Sequence, residues 1–389
     1  MSHPSRTRVL VAGLGDTGVL VAGALARRRD LAVTGVTTRP GLVSGQELGL
    51  RLARPEAWAR DYRIEHERLR RLDRVRVVHA RLTGADLENG TVTGRDATGA
   101  ERRLAWDLLV VATGVGNGFW RTGELLTPAQ VDDDLAARHA RLAVARSVLV
   151  VGGGAAGVGS ALQIALRWPA TTVALAFPGE RALPQHAERT WCGVRARLEA
   201  AGVELLAGHR AVVPAETDNL GPGVVHWHGD RTPREADAVL WTIGRVRPHT
   251  DWLPPEVLDD AGFVRVAPTL QVPGRPRVFA VGDVAATDEL RTSARNRADR
   301  LLARNVGAWL DGRDPATYRP RSRRWGSVLG PEPDGLRVYS PAGRSYRFPA
   351  WSVERLLQPL VVRRGIYGGV RDAHGPGVRA SADRVGDDA

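Results

Sequence analysis

The sequence predicts an α/β protein built as two parallel-sheet units of similar design, followed by a small C-terminal module. Two observations predict it. A strand, a glycine-rich turn, a helix and a second strand occur in that order around Gly13, and the same series starts again around Gly152. Each series is followed by short strand-like runs separated by turn residues, the mark of a β-meander inserted into the sheet.

Arg8–Ala12 is apolar, β-branched and ends at glycine, as a short buried parallel strand requires. A helical pattern over Thr17–Arg29 and a strand over Leu31–Thr37 complete a β–α–β unit. Val75–His79, Thr91–Thr93 and Glu101–Leu104 read as the meander, and they lead into Leu108-Leu109-Val110-Val111-Ala112-Thr113-Gly114. Ser147–Val151, Ala155–Arg167 and Thr172–Phe177 then repeat strand, helix and strand, with further signals to Trp241-Thr242-Ile243-Gly244. Val278–Asp283 reads as another strand and turn, before a helical stretch ending near Leu310. Proline, glycine and arginine become frequent from Asp311 onward, and the polar final dozen residues are expected to be disordered. The expected boundaries are residues 1–120 and 249–312 for the first unit, 121–248 for the second and 313–389 for the C-terminal module.

Gly13-Leu14-Gly15-Asp16-Thr17-Gly18 follows a predicted strand and opens a predicted helix. Glycines at this spacing permit a tight turn, close approach of backbone to a pyrophosphate and close helix–strand packing. The helix start adds unpaired N–H groups and about half a positive charge for the phosphates. Gly152-Gly153-Gly154-Ala155-Ala156-Gly157 stands in the same context. One dinucleotide per turn is the economical reading, which makes the fold two Rossmann-like dinucleotide-binding domains.

With these motifs in hand, the chain resembles the flavoproteins that carry two dinucleotide-binding domains. This group includes type II NADH dehydrogenases, apoptosis-inducing-factor-like reductases, ferredoxin reductases and disulfide reductases. The resemblance spans residues 8 to about 310. It rests on the two glycine turns, on the strand ending in Ala112-Thr113-Gly114, on Asp237–Pro248 and on Val278-Phe279-Ala280-Val281-Gly282-Asp283. It implies FAD at Gly13, Gly15, Gly18, Thr113, Gly114, Gly282 and Asp283, with Asp283 accepting hydrogen bonds from ribityl hydroxyls. It further implies NAD(P)H at Gly152, Gly154, Gly157 and Gly244, with hydride passing to the flavin and electrons leaving to a small-molecule acceptor such as a quinone. A non-enzymatic NAD(P)H-sensing flavoprotein and a flavin monooxygenase-like enzyme stay open as alternatives.

The chain departs from the family at several points. The carboxylate that usually binds the ribose beyond the first turn is replaced by Val36-Thr37-Thr38-Arg39, which leaves the hydroxyls of Thr37 and Thr38 for FAD. At the second site Phe177 holds the strand end. Nearby Glu180 suits an NADH ribose, and Arg181 suits the extra phosphate of NADPH. Gly159 stands where type II NADH dehydrogenases often carry a glutamate, and their quinone-side glutamines are not evident in Arg291–Arg300.

Cys192 is the single cysteine, so the sequence argues against a disulfide framework, a dithiol redox pair, dithiol/disulfide reductase activity and cysteine-based zinc sites. No histidine spacing suggests a metal site; His226 and His228 fall on one exposed strand face, and Trp191 and Cys192 read as packing residues of a helix. The net charge of +12 comes from 55 Lys+Arg residues against 43 Asp+Glu, and every one of the 55 is an arginine. They are scattered through the chain, with short runs only, such as Arg321-Ser322-Arg323-Arg324. Specific nucleic-acid binding is therefore not expected. The N-terminus lacks the apolar core of a signal peptide, and no apolar run approaches the ~20 residues that span a bilayer. A cytoplasmic protein is expected. The stretch Trp351–Arg364 mixes an apolar band with arginines and is expected to pack on the second unit or a partner, or to make peripheral membrane contact, with Pro359 breaking or kinking it.

Overall fold

The computed structural model describes residues 6–45, 47–116, 122–214, 220–243, 246–287, 298–319 and 326–372. Gly244, most of Arg291–Arg300, the run Arg321–Arg324 and the C-terminal tail lie outside the described residues.

Eight strands form the first sheet, in the order Gln271–Val272, Arg275–Ala280, Leu108–Val111, Thr7–Ala12, Leu31–Thr37, Val75–Asp86, Thr91–Asp96 and Glu101–Ala105. Its centre is parallel, with Val9 opposite Val33 on one side and opposite Leu108 on the other. Val9–Ala12 and Leu108–Val111 are buried throughout, which explains their unbroken apolar sequence: both faces of the sheet are covered. The strand beginning at Val75 is longer than its sequence suggests. Val75–His79 pair in parallel with Val33–Thr37, and Ala80–Asp86 then pair antiparallel with Thr91–Asp96.

The second sheet has five strands, ordered Glu204–Leu206, Thr172–Ala176, Ser147–Val151, Arg234–Trp241 and Leu220–Val225. The first four are parallel and the last pairs antiparallel, as a meander insertion requires. Ser147–Val151 and Ala155–Arg167 occur as the pattern predicts, residue for residue. The fold class expected from the sequence is thus the fold observed. A two-stranded ribbon joins the units, pairing Val115-Gly116 with Arg247-Pro248.

The C-terminal module is a three-stranded antiparallel sheet, Pro331–Glu332, Gly335–Tyr339 and Ser345–Phe348. It seats Val328, Leu329 and Tyr339 in the core of the second unit, alongside Val194 and Leu198. Buried Glu332 fastens it there, with an oxygen 2.7 Å from Nε of Arg197. Two expectations change at this end of the chain. Val353–Ile366 stays helical through Pro359, in turns of the wide π type, with only the bond that the missing proline N–H would have donated left out. Its docking is also different: Val362, Ile366 and Tyr367 pack on the core of the first unit rather than the second, and Arg363 pairs with Asp61 at 3.3 Å. Trp351, Leu356, Leu360 and Val361 remain exposed. Among the described residues no helix is long and apolar enough to cross a membrane.

Candidate functional site

The two glycine turns have the same steric signature. Gly13 has φ +98°, and a Cβ there would lie 2.4 Å from the Ala112 carbonyl oxygen. At Gly18 a Cβ would come within 1.8 Å of the Gly13 oxygen. In the second turn, Gly152 has φ +132° with a Cβ position 2.3 Å from Thr242 Oγ1, and Gly157 would meet the Gly152 oxygen at 1.9 Å. Gly13, Gly18 and Gly157 are therefore fixed by nearby backbone, and Gly152 by its positive φ and the Thr242 hydroxyl.

The middle glycines differ: a Cβ at Gly15 or Gly154 would meet nothing within 4 Å. Each is also the N-cap of its helix, Asp16–Leu25 and Ala155–Arg167, and neither helix start has a side-chain cap. The first N–H groups of both helices thus have no side-chain cap, and the glycine before each faces open space, an arrangement that fits a diphosphate.

A cleft opens in front of the first turn. Its walls include Gly13, Gly15, Thr37, Thr38, Thr113, Gly114, Gly282 and Asp283 of the residues expected from sequence. Gly18 lies under the turn and is buried. Thr113 Oγ1 donates to the His249 carbonyl at 2.7 Å, and His249 N–H donates to the Gly114 carbonyl at 3.1 Å. These bonds pin the strand end to the segment returning from the second unit. Gly282 has φ +82° and sits against Thr17, bringing the one-turn helix Gly282–Val284 to the start of Asp16–Leu25.

At the far end of the cleft, Thr37 Oγ1 is occupied, accepting from Arg39 N–H at 3.1 Å. Thr38 is half-buried with its hydroxyl unbonded among the described residues. Arg39 lines the wall and donates to the carbonyls of Thr122 at 2.5 Å and Glu124 at 3.3 Å. Burial holds its guanidinium below the ordinary arginine range, against the pull of Asp134 and Glu124. Arg81, His249 and Trp252 also line the cleft. Sequence reasoning missed all three because none belongs to a motif: His249 and Trp252 come from a connecting segment, and Arg81 from the second half of the strand Val75–Asp86. Asp16, inside the turn, accepts from Ser44 Oγ at 3.1 Å and Tyr367 OH at 3.3 Å, which ties the C-terminal segment to the glycine turn.

Behind the turn, His66 is buried and its imidazole bonds the Leu14 backbone, while its Nε2 has no partner. Burial lowers its pKa to about 4; the Leu14 bond opposes the shift and His79 adds to it. The ordinary value is about 6.5. Above that pH both folded and unfolded chains hold His66 neutral, so its contribution to stability is complete. As the pH falls from about 6.5 to about 4, only the unfolded chain takes up the proton, and about 3 kcal/mol of stability is expected to be lost. Urea unfolding between pH 7 and 4 checks this against His66→Gln, whose profile should lack that component. Parallel profiles would refute it.

The strand end beyond the second turn is closed differently. Phe177 is buried, 5.6 Å edge-on to Trp191, and a Cβ on Gly153 would lie 2.8 Å from that of Phe177. Glu180 is exposed. Arg181 folds onto its own loop, donating to the carbonyls of Pro184 and His186, each at 3.1 Å. Trp191 packs in the core as expected, but Cys192 is exposed, because one residue along a helix turns the side chain about 100°. It borders Arg189, Tyr339 and Arg344 and is not among the residues lining the cleft. His226 and His228 are exposed on either side of buried Trp227.

The pyridine nucleotide-disulphide oxidoreductase family model matches residues 7–301, which includes both glycine turns and the Gly282-Asp283 motif. The chain belongs to this family. It is 26% identical over 367 residues to the type II NADH:quinone oxidoreductase of Mycobacterium tuberculosis, covering 82% of this chain and 76% of that one. Among solved structures, the water-forming NADH oxidase of Lactobacillus brevis superposes with a TM-score of 0.62 at 19% identity, over 85% of this chain and 74% of that one. The NAD-dependent persulfide reductase of A. fulgidus gives a TM-score of 0.64 at 18% identity, over 82% of this chain. This chain spans only 62% of that longer protein.

Proposed function

We propose that the chain is an FAD-dependent oxidoreductase that takes hydride from NAD(P)H and passes electrons to a small-molecule acceptor, a quinone or a small electron carrier. The observation that carries this reading is the repeated turn, with outer glycines forbidden a side chain and a middle glycine facing open space. FAD, when bound, supplies the hydride-accepting and electron-transferring chemistry. The protein's part is to hold and orient. Residues 1–120 and 249–312 form the FAD-binding domain, residues 121–248 the NAD(P)-binding domain and residues 313–389 the C-terminal module.

In the first domain, Gly13, Gly15 and Gly18 shape the diphosphate cradle, Thr113 and Gly114 set the wall beside the flavin, and Gly282 lets Asp283 reach the ribityl chain. Thr38 is the hydroxyl left for the adenosine ribose, since that of Thr37 is occupied. In the second, Gly152, Gly154, Gly157 and Gly244 line the nicotinamide dinucleotide. Glu180, being exposed, is the better candidate for a ribose contact. Arg181 would have to leave two carbonyls to bind a phosphate.

A dithiol/disulfide reductase is disfavoured, because Cys192 is the single thiol and it lies outside the cleft wall. The exposed apolar side chains of Trp351, Leu356, Leu360 and Val361, with Arg355 and Arg364 beside them, support a peripheral contact with an anionic membrane surface.

Anaerobic addition of NADH or NADPH to the flavin-loaded protein should bleach its yellow absorption; no bleaching with either coenzyme would end the reductase reading. Turnover with quinones, ferricyanide and ferredoxin identifies the acceptor. A rate at oxygen background with every one of them would favour an NAD(P)H-sensing flavoprotein instead. Asp283→Ala is expected to weaken FAD about 10- to 100-fold, the equivalent of losing ~1.5–3 kcal/mol of hydrogen bonding to a charged group. Fluorescence titration of the apoprotein measures it, and an unchanged dissociation constant would remove Asp283 from the site.

A further inference from the structure

A second recess lies where the two units meet, away from the cleft. Arg54, Glu56 and Arg60 face it from the helices following the first sheet's opening strands, and His139 and Arg167 face it from the helices flanking the second sheet. Three guanidiniums share the space with one carboxylate.

Among the described residues none of the three forms an ion pair. The Arg54 guanidinium donates to Gln163 Oε1 at 2.7 Å and the Pro331 carbonyl at 3.0 Å. Arg167 lies over the Trp168 ring, 5.6 Å from its centre, and His139 leans on the same ring at 5.2 Å. Elsewhere this chain neutralises grouped arginines: Arg28 meets Asp30 and Asp311, and Arg197 meets Glu332 and Asp334. Burial lowers the pKa of Arg54, and the nearby Arg167 lowers it further. The cations here therefore outnumber the single lining carboxylate, Glu56, and Asp61, which feels Arg60, is already paired with Arg363.

We propose that this recess binds a diphosphate group, either free pyrophosphate or the terminal diphosphate of a nucleotide, between Arg54, Arg60 and Arg167. Guanidinium groups match phosphate oxygens in pairs of hydrogen bonds, which a scattered basic surface does not offer. The Trp168 ring and the Gln163 amide pre-set two of the three arginines, so less freedom is lost on binding. Because its walls come from both units, an occupant would also fasten one to the other, and the folded state should gain stability by mass action.

The test uses the full, flavin-loaded chain at constant ionic strength. Pyrophosphate and ADP should each raise the thermal midpoint along a saturating curve and change Trp168 fluorescence, with Trp168→Phe assigning the signal. The stronger of the two identifies the natural source. Citrate and AMP should act at least tenfold more weakly. Arg60→Ala combined with Arg167→Ala should raise the half-saturating concentration at least tenfold. Both side chains are exposed, so the midpoint without ligand should hold. Arg167→Glu alone provides a second variant and should abolish saturation. A pyrophosphate effect that persists undiminished in these variants would place the anion elsewhere, at a glycine turn, and overturn the proposal. Absence of saturation in the wild type, or equal binding of citrate, would overturn it too. None of these outcomes depends on coenzyme oxidation, so the site fails or stands apart from the reductase reading.

Discussion

Gly18→Val is expected to yield a chain that retains no flavin and loses more than ~4 kcal/mol of stability, the range reached only by severe core defects. A Cβ at this position would lie 1.8 Å from the Gly13 carbonyl oxygen, and neither side can retreat. Gly13 donates to the Val36 carbonyl at 2.8 Å, and its own Cα faces the Ala112 carbonyl closely enough that a Cβ there would sit 2.4 Å away. The turn, the strand Thr7–Ala12 and the strand Leu108–Val111 would have to separate to admit the side chain. Valine adds a second branch against the preceding turn of the helix. Gly15→Ala is the contrasting substitution, because nothing lies within 4 Å of its Cβ. That variant should fold with a near-native thermal midpoint while binding flavin more weakly, since the methyl group would project toward the diphosphate. Absorbance of the gel-filtered proteins, together with their thermal midpoints, separates the two effects. Wild-type flavin content in Gly18→Val would mean that the turn is not a dinucleotide cradle.

Much of this arrangement is legible in the residues because the physics is local. Leu31–Thr37, Ser147–Val151 and Ala155–Arg167 have the bounds their patterns predict, since glycine turns punctuate them and burial on both faces of the sheet demands continuous apolar runs. In the long strand from Val75 the sequence pattern extends only as far as His79. Beyond that point its pairing changes from Leu31–Thr37 to Thr91–Asp96, and Gly84, Ala85 and Asp86 are held in the strand by their neighbours rather than by their own preference. Arg39 and Arg81 reach the cleft wall without a signature, because a bend after Leu31–Thr37 places the first and the extended half of the strand from Val75 places the second. The docking of Val353–Ile366 departs from its pattern for a related reason. Its apolar residues show that a surface must be covered, but which surface is decided by tertiary contacts such as Tyr367 with Asp16.

Gly159→Glu is expected to destabilise the protein on the order of 5 kcal/mol, although a glutamate at this place is what the family resemblance leads one to look for. The helices Leu48–Ala53 and Ala155–Arg167 cross here at backbone distance: a Cβ on Gly49 would lie 2.5 Å from the Gly159 oxygen. On the other side, a Cβ on Gly159 itself would lie 2.9 Å from the Val328 oxygen of the C-terminal module. Glutamate would therefore add overpacking of about 1–3 kcal/mol and bring a carboxylate against a carbonyl oxygen in a buried joint, which costs several kcal/mol more. Gly159→Ala isolates the first contribution and should lose about 1–3 kcal/mol. Denaturant unfolding of both variants measures the difference. If Gly159→Glu were as stable as the alanine variant, the joint would have room for the side chain. The position would then be a functional vacancy, whereas the geometry makes it a contact surface, one that holds the second unit between the first and the C-terminal module.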